Sequence, residues 1–307
     1  MTVRSGGWRT GAAAAYVMLG IVMLLWAGNS IIGRAVRNDI PPFTLTFVRW
    51  TGAVLVLLPF AARHLIAERR AILAAWRPIL LLAATGVIAF NALLYTALHH
   101  TTATNGLLIQ AAIPAFVLLF DRIAFGTRPA AAAVAGVAIS MVGVATIVFR
   151  GDLHAIGSFR FATGDLLVLA AVVAWAVYTI ALRLRPAIHP LSLLATTFMI
   201  GAVAMLPLAL TEWQRIIAIE ARPGVIAAFA YVAVLPSVVA FFLYNAAVDA
   251  LGPARPGQAI TLMPLFGALL AAPLLGEDLH GYHLAGMALI LSGILVTAIL
   301  GQRPGSG

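Results

Sequence analysis

The sequence contains no cysteine and no lysine, and it has few charged residues of any kind. Without cysteine there is no disulfide framework, thiolate metal site or thiol nucleophile. Charged residues make up only 9% of the 307 residues and hydrophobic residues 63%, whereas about a quarter of an average soluble domain is charged. So little charge cannot cover a soluble surface, and the composition therefore indicates an integral membrane protein.

Motifs for catalysis and cofactor binding are also missing. The sequence has no Walker loop, no HExxH or GxSxG motif and no carboxylate-rich metal cluster, so it predicts no enzyme activity, no cofactor and no metal. All 19 basic residues are arginine, and they are scattered between apolar runs rather than gathered on one face. We therefore interpret the net charge of +9 as a topology signal and not as a nucleic-acid site.

Ten apolar stretches are long enough to cross a bilayer, which takes about 20 mostly apolar residues per helix. They cover residues 11–33, 42–62, 77–98, 102–125, 130–149, 164–184, 189–210, 223–247, 252–275 and 281–300. The first stretch is too long for the apolar region of a signal peptide, and we interpret it as a retained helix. With both termini in the cytoplasm, 12 arginines lie inside and 6 outside, leaving Arg49 within a span. The positive-inside rule favours this orientation.

The two halves of the chain repeat at an offset of about 150 residues. The matched pairs include Trp26 with Trp175, Pro114 with Pro264, Gly136 with Gly286 and Gly143 with Gly293. Because each unit has five spans, the second unit enters the membrane from the opposite face. Such inverted repeats are typical of secondary transporters, whose sites lie near the midplane between the repeats. We therefore predict an all-α membrane fold of two inverted five-helix repeats, 1–150 and 151–307, around a central cavity.

Polar side chains inside spans are costly and mark candidate site residues. In span one Trp26, Asn29 and Ser30 share a helix face, and Trp175, Tyr178 and Thr179 occupy the equivalent face of span six. The other candidates are Asn91 and Tyr95 in span three, Gln110 in span four, Tyr244 and Asn245 in span eight and Gln258 in span nine. Both glutamines precede a duplicated proline, which is expected to kink its helix. The alternative interpretation is that these side chains only join helices by hydrogen bonds.

Arg49 has two interpretations. It lies about seven residues from the outer end of span two, so its side chain could reach outward to the interface. Its guanidinium group could instead bind a substrate carboxylate. Every Asp and Glu lies in a loop or near a span end, which argues against proton exchange for organic cations, since that exchange needs a buried carboxylate.

Together these features resemble the EamA-type exporters of the drug/metabolite transporter superfamily, most closely the bacterial exporters of aromatic amino acids. The motifs that carry the resemblance are Trp26-Ala27-Gly28-Asn29, Thr102-Ala103-Thr104-Asn105 and Leu275-Gly276-Glu277. The resemblance implies a multi-pass protein of the bacterial inner membrane. Spans one, three, four, six, eight and nine would line its cavity, while spans five and ten would support it from outside. Thr127 departs from the family pattern, which often has Glu there.

The expected function is export of small amphipathic metabolites, amino acids including aromatic ones, by alternating access. The partners would be a small-molecule substrate and the lipid bilayer, without nucleic acid. Sugar phosphates or nucleotide sugars are an alternative cargo, but they should need several inward-facing basic residues. A membrane enzyme or lipid flippase would need a catalytic polar cluster or a lipid-facing groove. The sequence does not determine energy coupling or transport direction. It also leaves the oligomeric state open, with a monomer among the alternatives.

Overall fold

The computed structural model describes residues 11–101, 103–149, 163–275 and 280–300, which are helical and include no strand. Expectations that involve Thr102, Gly276, Glu277 or the boundary at residues 150–151 lie outside these ranges. We label the helical segments α1 to α10. The first five are α1 Ala12–Ala35, α2 Pro42–Ala74, α3 Trp76–His100, α4 in two pieces, Ala103–Gln110 and Ile113–Phe125, and α5 Ala131–Val148. The second five are α6 Thr163–Leu184, α7 Pro190–Leu210, α8 Pro223–Leu251, α9 in two pieces, Ala254–Ala259 and Met263–Leu275, and α10 Gly281–Leu300.

Six of the described helices are long and apolar enough to cross a membrane, namely α1, α2, α3, α6, α7 and α8. Their outward faces carry large apolar side chains, and Val17, Phe60 and Val203 are each more than 60% exposed. Exposed apolar surface of this extent suits lipid, because a soluble protein would aggregate through it. The all-α membrane class predicted from composition is therefore confirmed.

Helix breaks occur where the duplicated prolines predict them. α4 is interrupted at Ala111 and Ala112, just before Pro114. α9 narrows to a 3-10 turn over Ile260–Leu262, just before Pro264. Proline causes such breaks because it lacks the backbone N–H and clashes with the preceding turn. α3 and α8 each contain a wide π-helical segment instead, Ala83–Ala89 and Val234–Val239.

The loop predicted directly after span two was wrong. The sequence places the arginine-rich residues after 62 in a loop, but α2 continues as one helix to Ala74. This extension is rich in Ala, Arg and Leu, which are strong helix formers. A helix can leave the bilayer without ending there, because water solvates the charged side chains that replace the apolar ones.

Six closely packed helix pairs organise the fold. α2 packs on α7 and α5 on α10, while α1 packs on α8 and α9, and α6 packs on α3 and α4. The contact between α5 and α10 depends on glycine. A Cβ atom on Gly143 would lie 2.6 Å from the Gly286 carbonyl oxygen and 2.9 Å from the Ile290 nitrogen. The two backbones therefore touch at this point.

Replacing Gly143 with alanine should destabilise the protein by about 1–3 kcal/mol, because the colliding atoms belong to backbone and cannot rotate away. The midpoint of thermal unfolding in detergent should fall. Gly20→Ala is the matched control, since a Cβ atom at Gly20 of α1 meets nothing within 4 Å. Equal midpoints for the two variants would contradict the close contact between α5 and α10.

Candidate functional site

Aromatic side chains from both halves of the chain meet at the centre of the helices. The rings of Trp26 on α1 and Trp175 on α6 meet edge to face, with centroids 4.9 Å apart. Phe241 and Tyr244 of α8 pack on Trp26 at 6.0 and 5.0 Å. These are the distances and tilts that aromatic pairs prefer. The cluster gives the centre of the protein an apolar, π-rich wall.

A small cavity lies against this wall. Its free volume is about 10 Å³, which is the space that one water molecule needs. It is lined by Trp26, Asn29, Ser30, Arg49, Phe90, Leu94, Gln110, Ile113, Trp175, Phe241, Ile260 and Met263. All six helices that the resemblance implies contribute to the lining, and α2 adds Arg49. An amino acid does not fit in so small a space, so the described conformation is closed around the site.

Arg49 is the charged group of this cavity, and its side chain is 2% exposed. Its Nη1 atom donates to Asn29 Oδ1 at 3.2 Å and to the Tyr95 hydroxyl at 2.9 Å. Its Nε atom donates to Ser237 Oγ at 2.7 Å, and its Nη2 atom to the Pro236 carbonyl at 3.2 Å. All four acceptors are neutral. Since the guanidinium group has five N–H donors, these contacts leave one Nη2 proton available.

The acceptors on α8 exist because of Pro236. A proline has no N–H, so the Val232 carbonyl loses its helical partner, and the Ser237 hydroxyl donates to it instead at 2.6 Å. Ser237 Oγ is then positioned to accept from Arg49. The Pro236 carbonyl lies in the widened π-helical turn, where it accepts from both Arg49 and the indole nitrogen of Trp26, the latter at 3.0 Å. Such π-helical turns occur frequently at functional sites.

No acidic side chain in the described part of the chain lines the cavity. The described acids are bound to other groups in connections or toward helix ends; they are Asp39, Glu68, Asp121, Asp165, Glu212, Glu220 and Asp249. The most buried of these acids in an ion pair is Asp121, whose carboxylate lies 2.9 Å from the Arg183 guanidinium group. The positive charge of Arg49 is therefore not balanced by any described carboxylate.

The structure divides the site residues predicted from sequence into two layers. Trp26, Asn29, Ser30, Gln110 and Trp175 line the cavity. The others lie behind this layer or away from it; they are Asn91, Tyr95, Tyr178, Thr179, Tyr244, Asn245 and Gln258. Ser30 Oγ is buried without a hydrogen-bond partner among the described residues, so it is available to a ligand.

The second layer fixes the helices that carry the first. Tyr95 donates to Asn29 Oδ1 at 2.6 Å, joining α3 to α1. Tyr178 donates to Asn245 Oδ1 at 2.9 Å, joining α6 to α8. The Thr179 and Tyr244 hydroxyl groups are 3.1 Å apart at the same helix pair.

Asn91 and Gln258 have local roles in the described conformation. Asn91 donates to the Gly86 and Val87 carbonyls at 3.3 and 3.1 Å, in the π-helical turn of α3. Gln258 Nε2 donates to the Gly293 carbonyl at 3.0 Å and faces α10. Gln258 is not among the residues that line the cavity in the described conformation.

The sequence analysis left two roles open for Arg49, although the spacing of the residues around it on α2 indicates which way it faces. Thr46, Arg49, Ala53 and Leu57 recur at intervals of three or four residues, and all are buried. That interval defines one helix face, so Arg49 belongs to the face that packs inward. The outward-reaching interpretation is wrong for this residue, which is held by Asn29 and the π-helical turn of α8.

A second, larger space lies between the end of α1 and the start of α8. This crevice has a volume of about 540 Å³ and is lined by Asp39, Arg222, Tyr231 and apolar residues. Asp39 and Arg222 form an ion pair at 3.1 Å. The Tyr231 hydroxyl donates to the Leu25 carbonyl at 2.9 Å and packs directly on Gly28, in the turn of α1 that carries Trp26. Tyr231 therefore contacts both the crevice and the central segment of α1.

Apolar outer faces, broken helices and a closed central cavity with aromatic and polar walls together define a polytopic membrane transporter. The sequence profile described as "EamA-like transporter family" matches residues 13–149 and, separately, residues 162–299. The chain belongs to this family, whose two-repeat membrane fold it shares. The family and the relatives below are transporters and not enzymes.

Three curated relatives illustrate the range of the family. An "Uncharacterized transporter" of Archaeoglobus fulgidus is 29% identical over 286 residues, covering 92% of this chain and 96% of the relative. A "Probable terminal-alkyne amino-acid exporter" of Streptantibioticus cattleyicolor is 30% identical, covering 73% and 74%. The "Uncharacterized inner membrane transporter YedA" of Escherichia coli is 25% identical, covering 90% and 88%.

A solved crystal structure has the same fold. It superposes with a TM-score of 0.72 and covers 96% of this chain and 99% of its own, at 21% sequence identity. At that identity the likeness concerns the fold alone.

Proposed function

We propose that the protein exports small amphipathic metabolites, amino acids including aromatic ones among them, across the bacterial inner membrane by alternating access. The observation that carries the proposal is the central cavity, where two tryptophans, Arg49 and unpaired polar groups converge. Aromatic walls suit a large apolar side chain, and the polar groups suit a small charged head. The amino-acid exporter of Streptantibioticus cattleyicolor, a distant relative, supports this class of cargo.

Equivalent residues of the two repeats meet each other, which supports an inverted arrangement of 1–150 and 151–307. Trp26 and Trp175 are equivalent and in contact. The tyrosine–asparagine hydrogen bond also occurs twice with its partners exchanged: α1 supplies asparagine to α3, and α6 supplies tyrosine to α8. Contacts of this kind are expected around a two-fold axis in the membrane plane.

The pair α2 and α7 supports the same arrangement. The Glu212 carboxylate accepts from the Thr44 nitrogen at 2.7 Å, at the N-terminus of α2. The Glu68 carboxylate, near the other end of α2, accepts from the His189 nitrogen at 2.9 Å, at the N-terminus of α7. Glu68 of α2 thus caps the start of α7, and Glu212, just after the end of α7, caps the start of α2. Two equivalent helices that run antiparallel fit ten spans with both termini in the cytoplasm, the orientation that the arginine distribution favours.

Two features suit a protein that opens and closes. The central cavity is too small for cargo, so transport must expand it. The π-helical segments of α3 and α8 lie at equivalent places in the two repeats, with Gly86 in one and Pro236 in the other. We propose that these turns act as hinges and that the crevice beside Tyr231 leads outward. Such hinges need only a few residues that change their backbone angles.

Sugar phosphates and nucleotide sugars fit the cavity less well. A dianion would need several cations, and Arg49 is the one basic residue in the described lining. The missing central carboxylate also leaves no obvious proton carrier in the described residues, which favours transport driven by the cargo gradient alone.

Uptake into proteoliposomes tests the proposed function. Purified protein should take up labelled phenylalanine without an imposed ion gradient, and unlabelled tryptophan, tyrosine and leucine should compete. Glucose 6-phosphate and UDP-glucose should not compete. Uptake of the phosphate compounds in place of amino acids would overturn the proposed cargo, and protein-free liposomes give the background.

A further inference from the structure

We infer that the cavity selects its cargo by the carboxylate and not by the amine, so that its substrates are amphipathic monocarboxylates for which an α-ammonium group is dispensable. The inference rests on the proposed function and specifies what the site recognises. It follows from the unbalanced charge of Arg49 in a cavity without a described acid.

A carboxylate on the cargo can supply the negative charge that balances Arg49. Arg49 donates to four neutral acceptors, and its remaining Nη2 proton is available for a ligand oxygen. Burying an arginine without an anion is unfavourable, because neutral groups replace only part of its hydration. A bound carboxylate would restore the balance and form a charge-assisted hydrogen bond. The Ser30 hydroxyl, which has no described partner, can donate to the same carboxylate.

The cavity offers few acceptors and no described negative charge to an ammonium group. No described carboxylate lines the cavity, and Asn29 Oδ1 already accepts from Arg49 and Tyr95. Gln110 uses its amide nitrogen to donate to the Gly106 carbonyl at 2.9 Å, which leaves its Oε1 atom and the tryptophan faces as acceptors. An ammonium beside Arg49 would also be repelled by the guanidinium charge. The amine of a zwitterion therefore contributes little to binding.

The net charge of the occupied cavity also favours a cargo that carries a single negative charge. A monocarboxylate brings a charge of −1 to a cavity with one described cation, so the complex is neutral. A zwitterionic amino acid leaves the net charge of the cavity at +1, while an amine raises it to +2. For a fixed aromatic side chain, the expected order of affinity is monoanion, then zwitterion, then cation.

Four compounds that share a phenylalanine-type side chain test the inference with the unmodified protein. Phenylpyruvate and N-acetylphenylalanine should inhibit uptake of labelled phenylalanine at concentrations equal to or below that of phenylalanine itself. Phenylalanine amide and phenethylamine, which lack the carboxylate, should require at least about tenfold more. Direct uptake of labelled phenylpyruvate should accompany its inhibition, which distinguishes cargo from blocker.

Arg49→Lys adds a second measurement in a protein that keeps the charge. Lysine lacks the planar fork of arginine, so affinity for phenylpyruvate should fall while the preference for carboxylates over amines is retained. If phenethylamine competes as well as phenylalanine, the inference is wrong although the protein is a transporter of aromatic compounds. If none of the four compounds competes and labelled phenylalanine is not taken up either, the proposed function itself fails.

Discussion

Replacing Arg49 with methionine should strongly reduce carboxylate transport and leave the empty protein about as stable as before. Each acceptor of Arg49 keeps another hydrogen bond when the guanidinium group is removed. Tyr95 still donates to Asn29, and Ser237 still donates to the Val232 carbonyl. Because no buried polar group is orphaned, the usual penalty of breaking such a network does not arise. Removing an unbalanced buried charge can even stabilise a protein.

Two measurements on Arg49→Met check this prediction. The midpoint of thermal unfolding in detergent should change by less than about 3 °C, or rise. Phenylalanine uptake should fall at least about tenfold, since a hydrogen bond to a charged group is worth about 1.5–3 kcal/mol. Arg70→Met, at an exposed position on the same helix, should behave like the unmodified protein in both assays. Normal uptake by Arg49→Met would show that the cargo does not need Arg49, and failure of the variant to fold would assign Arg49 a structural role.

Replacing both Trp26 and Trp175 with leucine should remove the preference for aromatic cargo. The two indole rings form adjacent walls of the cavity, and both are buried. Each ring–ring contact is worth about 0.5–1.5 kcal/mol beyond the area that it buries. Uptake of phenylalanine should therefore fall about tenfold or more relative to uptake of leucine. The substituted leucine side chains keep both positions apolar. The ratio of phenylalanine uptake to leucine uptake therefore measures selectivity within one variant.

Trp76 and Trp213 provide the matched control, because they are 55% and 53% exposed near helix ends. Leucine at both of these positions should leave the ratio of phenylalanine to leucine uptake unchanged. An unchanged ratio in the Trp26 and Trp175 variant would instead place aromatic recognition elsewhere, for example in the crevice beside Tyr231.

The fold was accessible from the sequence because its determinants are local. Apolar length identifies the helices, and prolines such as Pro114 locate the breaks. The internal repeat pairs Gly143 with Gly293, and the structure shows that Gly143 lies where α5 and α10 touch. These signals depend on composition and spacing, which a sequence displays directly. The end of α2 was mispredicted because hydropathy measures where a helix leaves the bilayer, whereas the helix itself continues to Ala74.

The candidate site was accessible only in part, since the rotation of a helix about its axis decides which side chains face inward. Trp26 and Asn29 could be placed because their polar and aromatic face is duplicated in α6. Arg49 has no arginine at the equivalent place in the second repeat, and its depth in the membrane was compatible with either direction. Two of its four hydrogen-bond acceptors belong to the π-helical turn at Pro236, a backbone shape that the sequence does not specify.

Photolabelling with a small aromatic amino acid tests the central claim most directly. Radiolabelled 4-azidophenylalanine carries both the carboxylate and the aromatic group, and it forms covalent bonds with nearby side chains when illuminated. The account predicts label on Trp26, Trp175, Phe241 or Met263, prevented by excess phenylalanine and lost in Arg49→Met. Label confined to the crevice or the outer helix surfaces, or label at the centre that phenylalanine does not prevent, would contradict a central cargo site between the two repeats.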